Sequence, residues 1–281
     1  MSIFPEETIP FYKMQGSGND FVLVVKDHLR ETPRDMSHWA KCICTRAFAV
    51  GADGLIFLES TPEDPDLDIK WDFYNSDGSR AEMCGNGSRC AAALAYSLNL
   101  APLKLAMGTD AGAVRAEVVF EKSEVKVQLT QPFDLNNFVD LTLSDGSSIE
   151  IHHVNTGVPH AVLISEDANK ENIKHLGPEI RYHSYFNPQG ANVNIIQKLD
   201  FGHLYVRTYE RGVEDETFAC GTGAGASAFI AHKLGLCDKE TRITTSGGEE
   251  LKIILQNDFV YLQGMANWIY KGELNPGAIG L

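Results

Sequence analysis

A short cysteine–glycine sequence occurs twice in this chain, at places almost half of its 281 residues apart. The first copy is Cys84-Gly-Asn-Gly87 and the second is Cys220-Gly-Thr-Gly223. Each copy follows a strand-like run and a polar turn, and each leads into a segment of small apolar residues. One long unit used twice explains this pattern, because solenoids are built from many repeats of roughly 20–50 residues. The chain is therefore expected to form two similar domains.

The residues around each copy predict a strand, a glycine turn and a helix. Lys70 to Tyr74 and Leu204 to Tyr209 have the β-branched and aromatic composition of strands. The segments after the cysteines favour helices that are apolar on nearly every side, and such helices are usually buried. We therefore expect an α/β (α+β) fold with two pseudo-symmetric domains, each a strand-rich mixed sheet wrapped around a central helix, with the active site in the cleft between them. The expected domains are 1–128 plus 268–281, and 129–267.

A cysteine at the start of a helix has a specific chemistry. The first amides of a helix have no partner within the helix and carry partial positive charge. They stabilise a thiolate, and neighbouring glycines let them approach a carboxylate closely. One such motif is weak evidence of catalysis, but two matching copies fit a reaction that needs a base and an acid on opposite faces of one carbon. The sequence therefore predicts that Cys84 and Cys220 exchange protons with one substrate.

Composition excludes several other classes of protein. The chain has 24 Lys and Arg against 38 Asp and Glu, a net charge of −14, which disfavours binding to nucleic acid or to an anionic membrane. The start of the chain, Met1 to Lys13, has no targeting signal, and no segment is apolar enough to span a bilayer. We therefore expect a cytoplasmic protein whose six cysteines are thiols, without a zinc site. Cys42, Cys44, Cys90 and Cys237 are expected to serve packing, and Arg80 and Arg89 to be solvated or ion-paired.

Several longer motifs resemble those of the diaminopimelate epimerase family. They occur in the family's order from near the start of the chain to the second cysteine: Lys13-Met-Gln-Gly-Ser-Gly-Asn-Asp-Phe21, Gly51-Ala-Asp-Gly-Leu55, Asn75-Ser-Asp-Gly-Ser79, Glu82-Met-Cys-Gly-Asn-Gly-Ser-Arg-Cys90, Tyr209-Glu-Arg-Gly212 and Glu216-Thr-Phe-Ala-Cys-Gly-Thr-Gly-Ala224. The resemblance implies a homodimeric enzyme that interconverts LL- and meso-diaminopimelate without a cofactor or metal, in lysine and peptidoglycan precursor biosynthesis. Diaminopimelate would then be its small-molecule partner.

The resemblance also implies roles for individual residues. Cys84 and Cys220 correspond to the acid/base pair. The other correspondences are a backbone clamp on the reacting carboxylate (Gly85, Asn86, Gly221, Thr222), polar groups that bind chiefly the distal end of the substrate (Asn19, Asn75, Asn192, Glu210, Arg211) and residues that tune the thiol pKa values (His160, Glu210). Physically, an arginine can fork onto a carboxylate and a glutamate can pair with an ammonium group.

The sequence departs from the family pattern at two positions. The family often has Gly-Asn-Pro-His where this chain has Gly157-Val-Pro-His160, and some members have Gln at the position of Gly54. A hydrogen bond to the substrate is expected to be missing at each place, or to be supplied by another group such as Asn155 or water.

Three alternatives remain open on the sequence. Gly221-Thr-Gly-Ala-Gly-Ala226 resembles a dinucleotide-binding turn, and bound nicotinamide in the purified protein would support that interpretation. The second alternative is another two-thiol racemase with the same overall plan, such as proline racemase. Such racemases usually have Cys-Gly-His-Gly where this chain has Cys84-Gly-Asn-Gly87. A non-enzymatic module that binds amino acids would tolerate replacement of both cysteines by serine.

Overall fold

Strands outnumber helices in both halves of the chain, and the helices lie at a few defined places. The computed structural model describes residues 8–281 (for Phe120, the backbone alone). The helices are α1 (Met36–Cys44), α2 (Gly85–Ser97), α3 (Ile173–Arg181) and α4 (Gly221–Lys233). The strands are β1 (Ile9–Gly16), β2 (Asn19–Val25), β3 (Gly54–Ser60), β4 (Ile69–Asn75), β5 (Lys104–Thr109), β6 (Gly112–Val119), β7 (Glu124–Gln128), β8 (Phe133–Thr142), β9 (Ser148–Asn155), β10 (Pro159–Ile164), β11 (Asn192–Asp200), β12 (His203–Glu210), β13 (Asp215–Thr217), β14 (Glu240–Thr245), β15 (Glu250–Gln256), β16 (Phe259–Met265) and β17 (Asn267–Leu274).

The first of two units comprises the chain up to Val127 together with Met265–Leu281. In its sheet β1 lies antiparallel to β17 and β2, β2 is parallel to β3, β3 is antiparallel to β4, and β4 is parallel to β5. The antiparallel strands β6 and β7 complete the order. Helix α2 lies inside this curved sheet: Cys90, Ala91, Leu94 and Ala95 are fully buried among side chains from the surrounding strands.

The first sheet also has an outer apolar face, which α1 covers. Side chains alternate along a strand, so Phe21 and Leu23 of β2 face α2, whereas Val22 and Val24 pack with Ile43 of α1. Asp35 caps the start of α1 by accepting a hydrogen bond from the main-chain N–H of His38 at 2.8 Å. The parallel pair β2 and β3 needs such a crossover between its strands.

The second unit, Gln128–Gly264, repeats the same topology. Strands β9 and β10 are antiparallel, β10 and β11 parallel, β11 and β12 antiparallel, β12 and β14 parallel, and β14 to β16 antiparallel. Strand β8 pairs with β9 as β17 pairs with β1. Helix α3 joins β10 to β11 as α1 joins β2 to β3, and α4 precedes β14 as α2 precedes β5. The predicted α+β fold with a buried helix in each mixed sheet is confirmed.

Some predicted elements differ from the observed ones. The apolar run from Val114 to Leu129 has the composition of one continuous strand, but a short 3-10 helix (Phe120–Lys122) and Ser123, whose φ is 54°, divide it into β6 and β7. Within residues 8–281, none of the helices combines the length and the apolar composition that crossing a membrane requires. The expected absence of a targeting signal concerns residues 1–13, of which the first seven lie outside the described part.

Candidate active site

Cys84 is the residue that caps the central helix of the first unit. Its backbone is extended (φ −145°, ψ 119°), and α2 begins at the next residue, Gly85. The Cys84 Sγ atom accepts a hydrogen bond from the main-chain N–H of Gly87 at 3.4 Å. A thiol in this place receives both a hydrogen bond and the partial positive charge of the helix start. The predicted helix-start cysteine is therefore present, with Gly85 and the buried Asn86 in the first turn.

Asn19, at the start of β2, is the second contact of this thiol. Its Oδ1 atom lies 3.8 Å from Cys84 Sγ, at the long end of the range for a sulfur hydrogen bond. Its Nδ2 atom donates to Asp53 Oδ2 at 2.7 Å. The structure therefore brings one of the predicted binding residues, Asn19, next to the predicted catalytic thiol, and adds Asp53, to which the sequence assigned no role.

A group of charged residues lies behind Asn19. Lys13, which is almost fully buried, forms an ion pair with Asp20 at 2.6 Å and also donates to the carbonyl of Gly51. Arg46 donates to Asp20 at 2.5 Å and to Asp53 at 3.0 Å. Burial alone would raise the pKa of Asp20, but Arg46 and Lys13 outweigh it and lower this pKa to about 2. Asp20 is consequently ionised throughout the physiological range.

Asn75 and Gly54 occupy neighbouring strands and pair with each other in the sheet. Asn75 is exposed at the end of β4, where its Nδ2 atom donates to the Ser79 hydroxyl at 3.0 Å. A Cβ atom at position 54 would lie 2.6 Å from the Phe73 ring and 2.9 Å from the Tyr74 carbonyl oxygen. A glutamine at this position would therefore need the Phe73 ring to move, which gives a structural reason for glycine here.

Arg89 lies inside α2 and is fully buried, so of the two alternatives expected for it, solvation or ion pairing, solvation is wrong. Its Nη2 atom donates to the Ser17 hydroxyl at 2.6 Å, and its Nε atom donates to the carbonyl of Met265 at 3.2 Å. Arg80, by contrast, forms ion pairs with Asp72 and Asp110, as expected. Arg89 thus fastens α2 to the loop after β1 and to the segment before β17.

Cys220 caps α4 in the second unit with nearly the same geometry. Its backbone is extended (φ −121°, ψ 113°), α4 begins at Gly221, and Sγ accepts from the main-chain N–H of Gly223 at 3.4 Å. Its second contact is different: the hydroxyl of Thr222 lies 3.4 Å from Sγ. The carbonyl of Thr222 accepts a hydrogen bond from the Thr156 hydroxyl at 3.1 Å, which anchors the first turn of α4.

His160 is fully buried on β10, and its hydrogen bond with Asn194 on β11 determines which ring nitrogen carries the proton. Asn194 Nδ2 lies 3.2 Å from the carbonyl of Ala161, which can only accept, and 3.1 Å from His160 Nδ1. Because the amide group donates in both contacts, Nδ1 is an acceptor and the proton of the neutral ring is on Nε2. Burial, with smaller contributions from His153 and Arg211, lowers the pKa of His160 to about 3. His160 is therefore a neutral hydrogen-bond donor rather than a base at neutral pH.

The remaining predicted residues of the second unit cluster at the ends of β11 and β12. Asn192 Oδ1 accepts the main-chain N–H of Arg211 at 2.8 Å, and Asn192 pairs with His160 in the sheet. The Arg211 guanidinium donates to the carbonyl of Gln189 at 3.4 Å. Burial raises the pKa of Glu210, and the Thr217 hydroxyl offsets part of that rise. The cluster combines a cationic fork with a carboxylate that favours its protonated form more than a solvated glutamate does.

Val158 lies on the turn between β9 and β10, and Asn155 is the last residue of β9. The Asn155 side chain accepts the main-chain N–H of Gly157 at 2.9 Å, and the carbonyl of Val158 accepts from Thr156. Asn155 therefore shapes the turn that carries Val158, and its amide oxygen is already engaged there.

The other cysteines occupy different environments. Cys44, Cys90 and Cys237 are buried, as expected for packing residues. Burial raises the pKa of the Cys44 thiol to about 12 and also raises that of Cys237. Within residues 8–281, no three His, Cys, Asp or Glu side chains are arranged to hold a metal ion.

Comparison with known proteins matches most of the chain to one family. The family model described as diaminopimelate epimerase matches residues 11–133 and 152–269. The diaminopimelate epimerase of Aquifex aeolicus is 43% identical over 94% of this chain and 97% of its own length. That of Methanocella arvoryzae is 41% identical over 95% of this chain and 97% of its own length.

Solved structures with low sequence identity have the same fold. A probable proline racemase from Agrobacterium radiobacter superposes with a TM-score of 0.70 at 15% identity, covering 96% of this chain and 94% of that one. A phenazine biosynthesis protein from Bacillus anthracis gives 0.69 at 16% identity, covering 96% and 99%. At such identities the likeness concerns architecture alone.

Proposed function

Since the chain belongs to the diaminopimelate epimerase family, we propose that it interconverts LL- and meso-diaminopimelate by proton transfer at one α-carbon, in lysine and peptidoglycan precursor biosynthesis. The observation that carries this proposal is the pair of thiols at equivalent helix starts of a duplicated fold, each held by the third amide of its helix. One unit would supply a single base. Two units supply the base and the acid that inversion of a carbon centre requires.

In this mechanism one of Cys84 and Cys220 acts as a thiolate and the other as a thiol. The thiolate removes the α-proton from one face of the carbon, and the thiol delivers its own proton to the opposite face. The pair of sulfurs thereby exchanges protonation states in each turnover. The enzyme returns to its starting form by proton exchange with solvent.

The reacting carboxylate is expected to bind at the two helix starts. The amides of Gly85 and Asn86 in α2, and of Gly221 and Thr222 in α4, have no acceptor within their own helices. Hydrogen bonds from these amides stabilise the negative charge that develops when the α-proton leaves. This stabilisation replaces the electron sink that pyridoxal phosphate gives to other amino-acid racemases, so we propose that the reaction needs no cofactor.

The distal amino-acid group of diaminopimelate carries a carboxylate and an ammonium group. Arg211 is suited to the carboxylate, and its backbone is held by Asn192. Glu210 is suited to the ammonium group and Asn75 offers a further polar contact, whereas Asn19 lies beside the Cys84 thiol, at the reacting end of the substrate. His160, as a buried neutral donor, can stabilise a nearby anion, so we assign it and Glu210 to tuning the thiols.

The direct test is exchange of solvent deuterium into the α-carbon of LL- or meso-diaminopimelate by the reduced enzyme in heavy water. We expect exchange together with formation of the other isomer, and neither with L-proline. Hydroxylamine, which traps pyridoxal phosphate, should leave the rate unchanged. Absence of exchange with both diaminopimelate isomers would refute the proposal, and exchange with proline instead would indicate a proline racemase.

We further propose that the enzyme is a cytoplasmic homodimer. Cys42, Cys44 and Cys237 form no disulfide bonds, and free thiols of this kind are usual in a reducing compartment. Strand β17 exposes Trp268, Ile269 and Tyr270 in succession, so both faces of the strand present apolar side chains to solvent. Exposed apolar surface of this kind is typical of an interface.

The dimer is tested by Ile269→Asp, which places a charge in the exposed β17 surface. We expect sedimentation equilibrium to show a shift from dimer to monomer. Leu199→Asp, at a similarly exposed apolar residue of the second unit, is the matched control and should leave the mass unchanged. A wild-type protein that sediments as a monomer would refute the assignment.

A further inference from the structure

The orientation of the Asn19 amide group is determined by its partner. Asp53 is a carboxylate and can only accept hydrogen bonds, so the Asn19 atom at 2.7 Å from Asp53 Oδ2 must be the NH₂ group. The other end of the amide, the carbonyl oxygen, then faces Cys84 Sγ at 3.8 Å. Asp53 therefore decides which end of Asn19 the thiol meets.

Asp53 is itself held in place by the start of β2. Its Oδ2 atom also accepts the main-chain N–H of Asp20 at 3.1 Å, and the main-chain N–H of Asp53 donates to Asp20 Oδ1 at 3.1 Å. Arg46 bridges both carboxylates but is mostly exposed, so the ion pairs it makes contribute little by themselves. The reciprocal main-chain bonds, and the buried Lys13 on Asp20, are the firmer anchors.

The charges packed around this pair of carboxylates balance. Lys13 of β1 and Arg46 are cationic, whereas Asp20 of β2 and Asp53 are anionic, and the nearby Cys44 thiol of α1 stays neutral. The net effect of this group on Cys84 therefore comes less from charge than from the amide dipole that it orients. A carbonyl oxygen accepts a hydrogen bond from the S–H group of a thiol. It disfavours the thiolate, because its own partial charge is negative.

The equivalent contact at Cys220 can favour the thiolate rather than the thiol. A threonine hydroxyl can donate or accept, so Thr222 can turn its O–H toward a thiolate at 3.4 Å. Both sulfurs accept a hydrogen bond from a helix amide at 3.4 Å, whereas the oxygen atoms beside them differ in kind. Cys84 meets an oxygen that favours the thiol, and Cys220 meets a hydroxyl that can favour the thiolate.

We propose that Asp53 is a positioning residue that locks the Asn19 carbonyl oxygen toward Cys84, and that the free enzyme consequently rests with Cys84 as the thiol and Cys220 as the thiolate. This assignment rests on the proposed two-thiol reaction. In the resting form Cys220 takes the α-proton and the S–H proton of Cys84 passes to the opposite face of the carbon. A substrate with the opposite configuration requires the reversed protonation state, which the Asn19 carbonyl disfavours.

The test measures the protonation of Cys84 directly, without turnover. In a Cys220→Ser background, the rate of iodoacetamide alkylation of Cys84 is followed against pH, with the modified peptide identified by mass spectrometry. Asp53→Asn removes the obligate acceptor and lets the Asn19 NH₂ group turn toward the sulfur. We expect the alkylation profile to move to lower pH by about one unit, which makes alkylation about 10-fold faster below the midpoint.

A double-mutant cycle separates positioning from general structural damage. Asn19→Ala removes the carbonyl oxygen and should also move the profile to lower pH, and Asp53→Asn added to it should give no further shift. Asp110→Asn is the matched control, because Asp110 also pairs with an arginine of the first unit but does not contact Asn19; its profile should stay in place. Circular dichroism verifies that each variant is folded.

Two results would overturn the proposal: an unchanged or upward-shifted profile in folded Asp53→Asn, or additive shifts in the double variant. In the enzyme with both cysteines, the alkaline limb of kcat/KM should move to lower pH in Asp53→Asn. Thr222→Val should instead move the acidic limb to higher pH. Failure of wild-type enzyme to exchange deuterium would refute the proposed function without touching the alkylation result, so the two failures are distinguishable.

Discussion

The two helix starts have the same backbone and different surroundings. Cys84 and Cys220 each cap their helix in an extended conformation and each accept the third amide at 3.4 Å. Behind Cys84 lies a set of ion-paired side chains, whereas behind Cys220 lie neutral hydroxyl, amide and imidazole groups. The duplicated fold thus supplies two equal positions for a sulfur, and the side chains around each position make the two sulfurs chemically different.

The difference also extends to how each central helix is packed. At α2, Gly87 faces the side chains of Ile56 and Trp71, which are apolar and can shift slightly. At α4, Gly223 lies directly against Asn194, which holds His160 and accepts the Thr208 hydroxyl at 3.0 Å. The second helix start therefore packs against a hydrogen-bonded network in which Asn194 holds both His160 and Thr208 in place. We expect the second unit to be the less tolerant of change.

The largest effect should come from removing either thiol. Cys84→Ala and Cys220→Ala should each reduce kcat by about 10²–10⁴-fold, because each face of the carbon needs its own proton carrier. The double variant should be hardly slower than either single one, since the two act as a unit. Initial rates of conversion between the two isomers provide the measurement. If one single variant kept more than a tenth of wild-type activity, the two positions would not be equivalent in the reaction.

The sequence was sufficient for the features that are local in the chain. The strand, glycine turn and alanine-rich segment at each copy predicted α2 and α4 and the cysteines that cap them, because capping is decided within a few residues. The duplication predicted the repeated topology. Helices α1 and α3 were not predicted, although each crosses between parallel strands, because their short amphipathic patterns are weak in isolation.

Features that depend on distant pairing were missed. Asp53 meets Asn19 only because β2 and β3 run side by side, and Asn194 meets His160 only because β10 and β11 do. Asp53 lies within the motif Gly51-Ala-Asp-Gly-Leu55, which could have indicated it, whereas Asn194 is one polar residue in a strand. The burial of Arg89 was unexpected because arginine is rarely buried without partners, and its partners lie far away in the sequence.

The second prediction concerns His160 and acid stability of the second unit. Because burial lowers the pKa of His160 to about 3, the folded state excludes a proton that the unfolded state binds below about pH 6.5. This contribution to stability is complete above about pH 6.5 and is lost as pH falls toward 3, on the order of a few kcal/mol in total. Hydrogen exchange of β10 and β11, corrected for intrinsic rates, should accelerate over this range in wild type.

His160→Gln supplies the control for that measurement, because glutamine does not titrate. Its protection in β10 and β11 should be lower at neutral pH but nearly independent of pH between about 6.5 and 4. Equal acid sensitivity in wild type and His160→Gln would show that another group is responsible.

The third prediction compares the two glycines that approach the helix starts. A Cβ atom at position 223 would overlap the Asn194 side chain, whereas one at position 87 would lie 3.2 Å from Ile56 and 3.3 Å from Trp71. We expect Gly223→Ala to lower the free energy of unfolding by about 1–3 kcal/mol and to disturb His160. Gly87→Ala should cost less than about 1 kcal/mol. Urea unfolding followed by far-ultraviolet circular dichroism tests the order, and a larger cost for Gly87→Ala would reverse the comparison.

The smallest effect is the contribution of Asp20 to the stability of the first unit, which is lost at lower pH than the contribution of His160. Lys13 and Arg46 lower the pKa of Asp20 to about 2, so its contribution to stability is complete above about pH 4 and is lost as pH falls through 2. The pH-dependent part should be about 1–2 kcal/mol. Trp39, Trp71 and Trp268 all belong to the first unit, so tryptophan fluorescence during urea unfolding reports on it. The difference in free energy of unfolding between wild type and Asp20→Asn should be constant from about pH 7 to 5 and shrink toward pH 2. If this difference already shrank between pH 6.5 and 5, the two units would not lose stability in separate pH ranges.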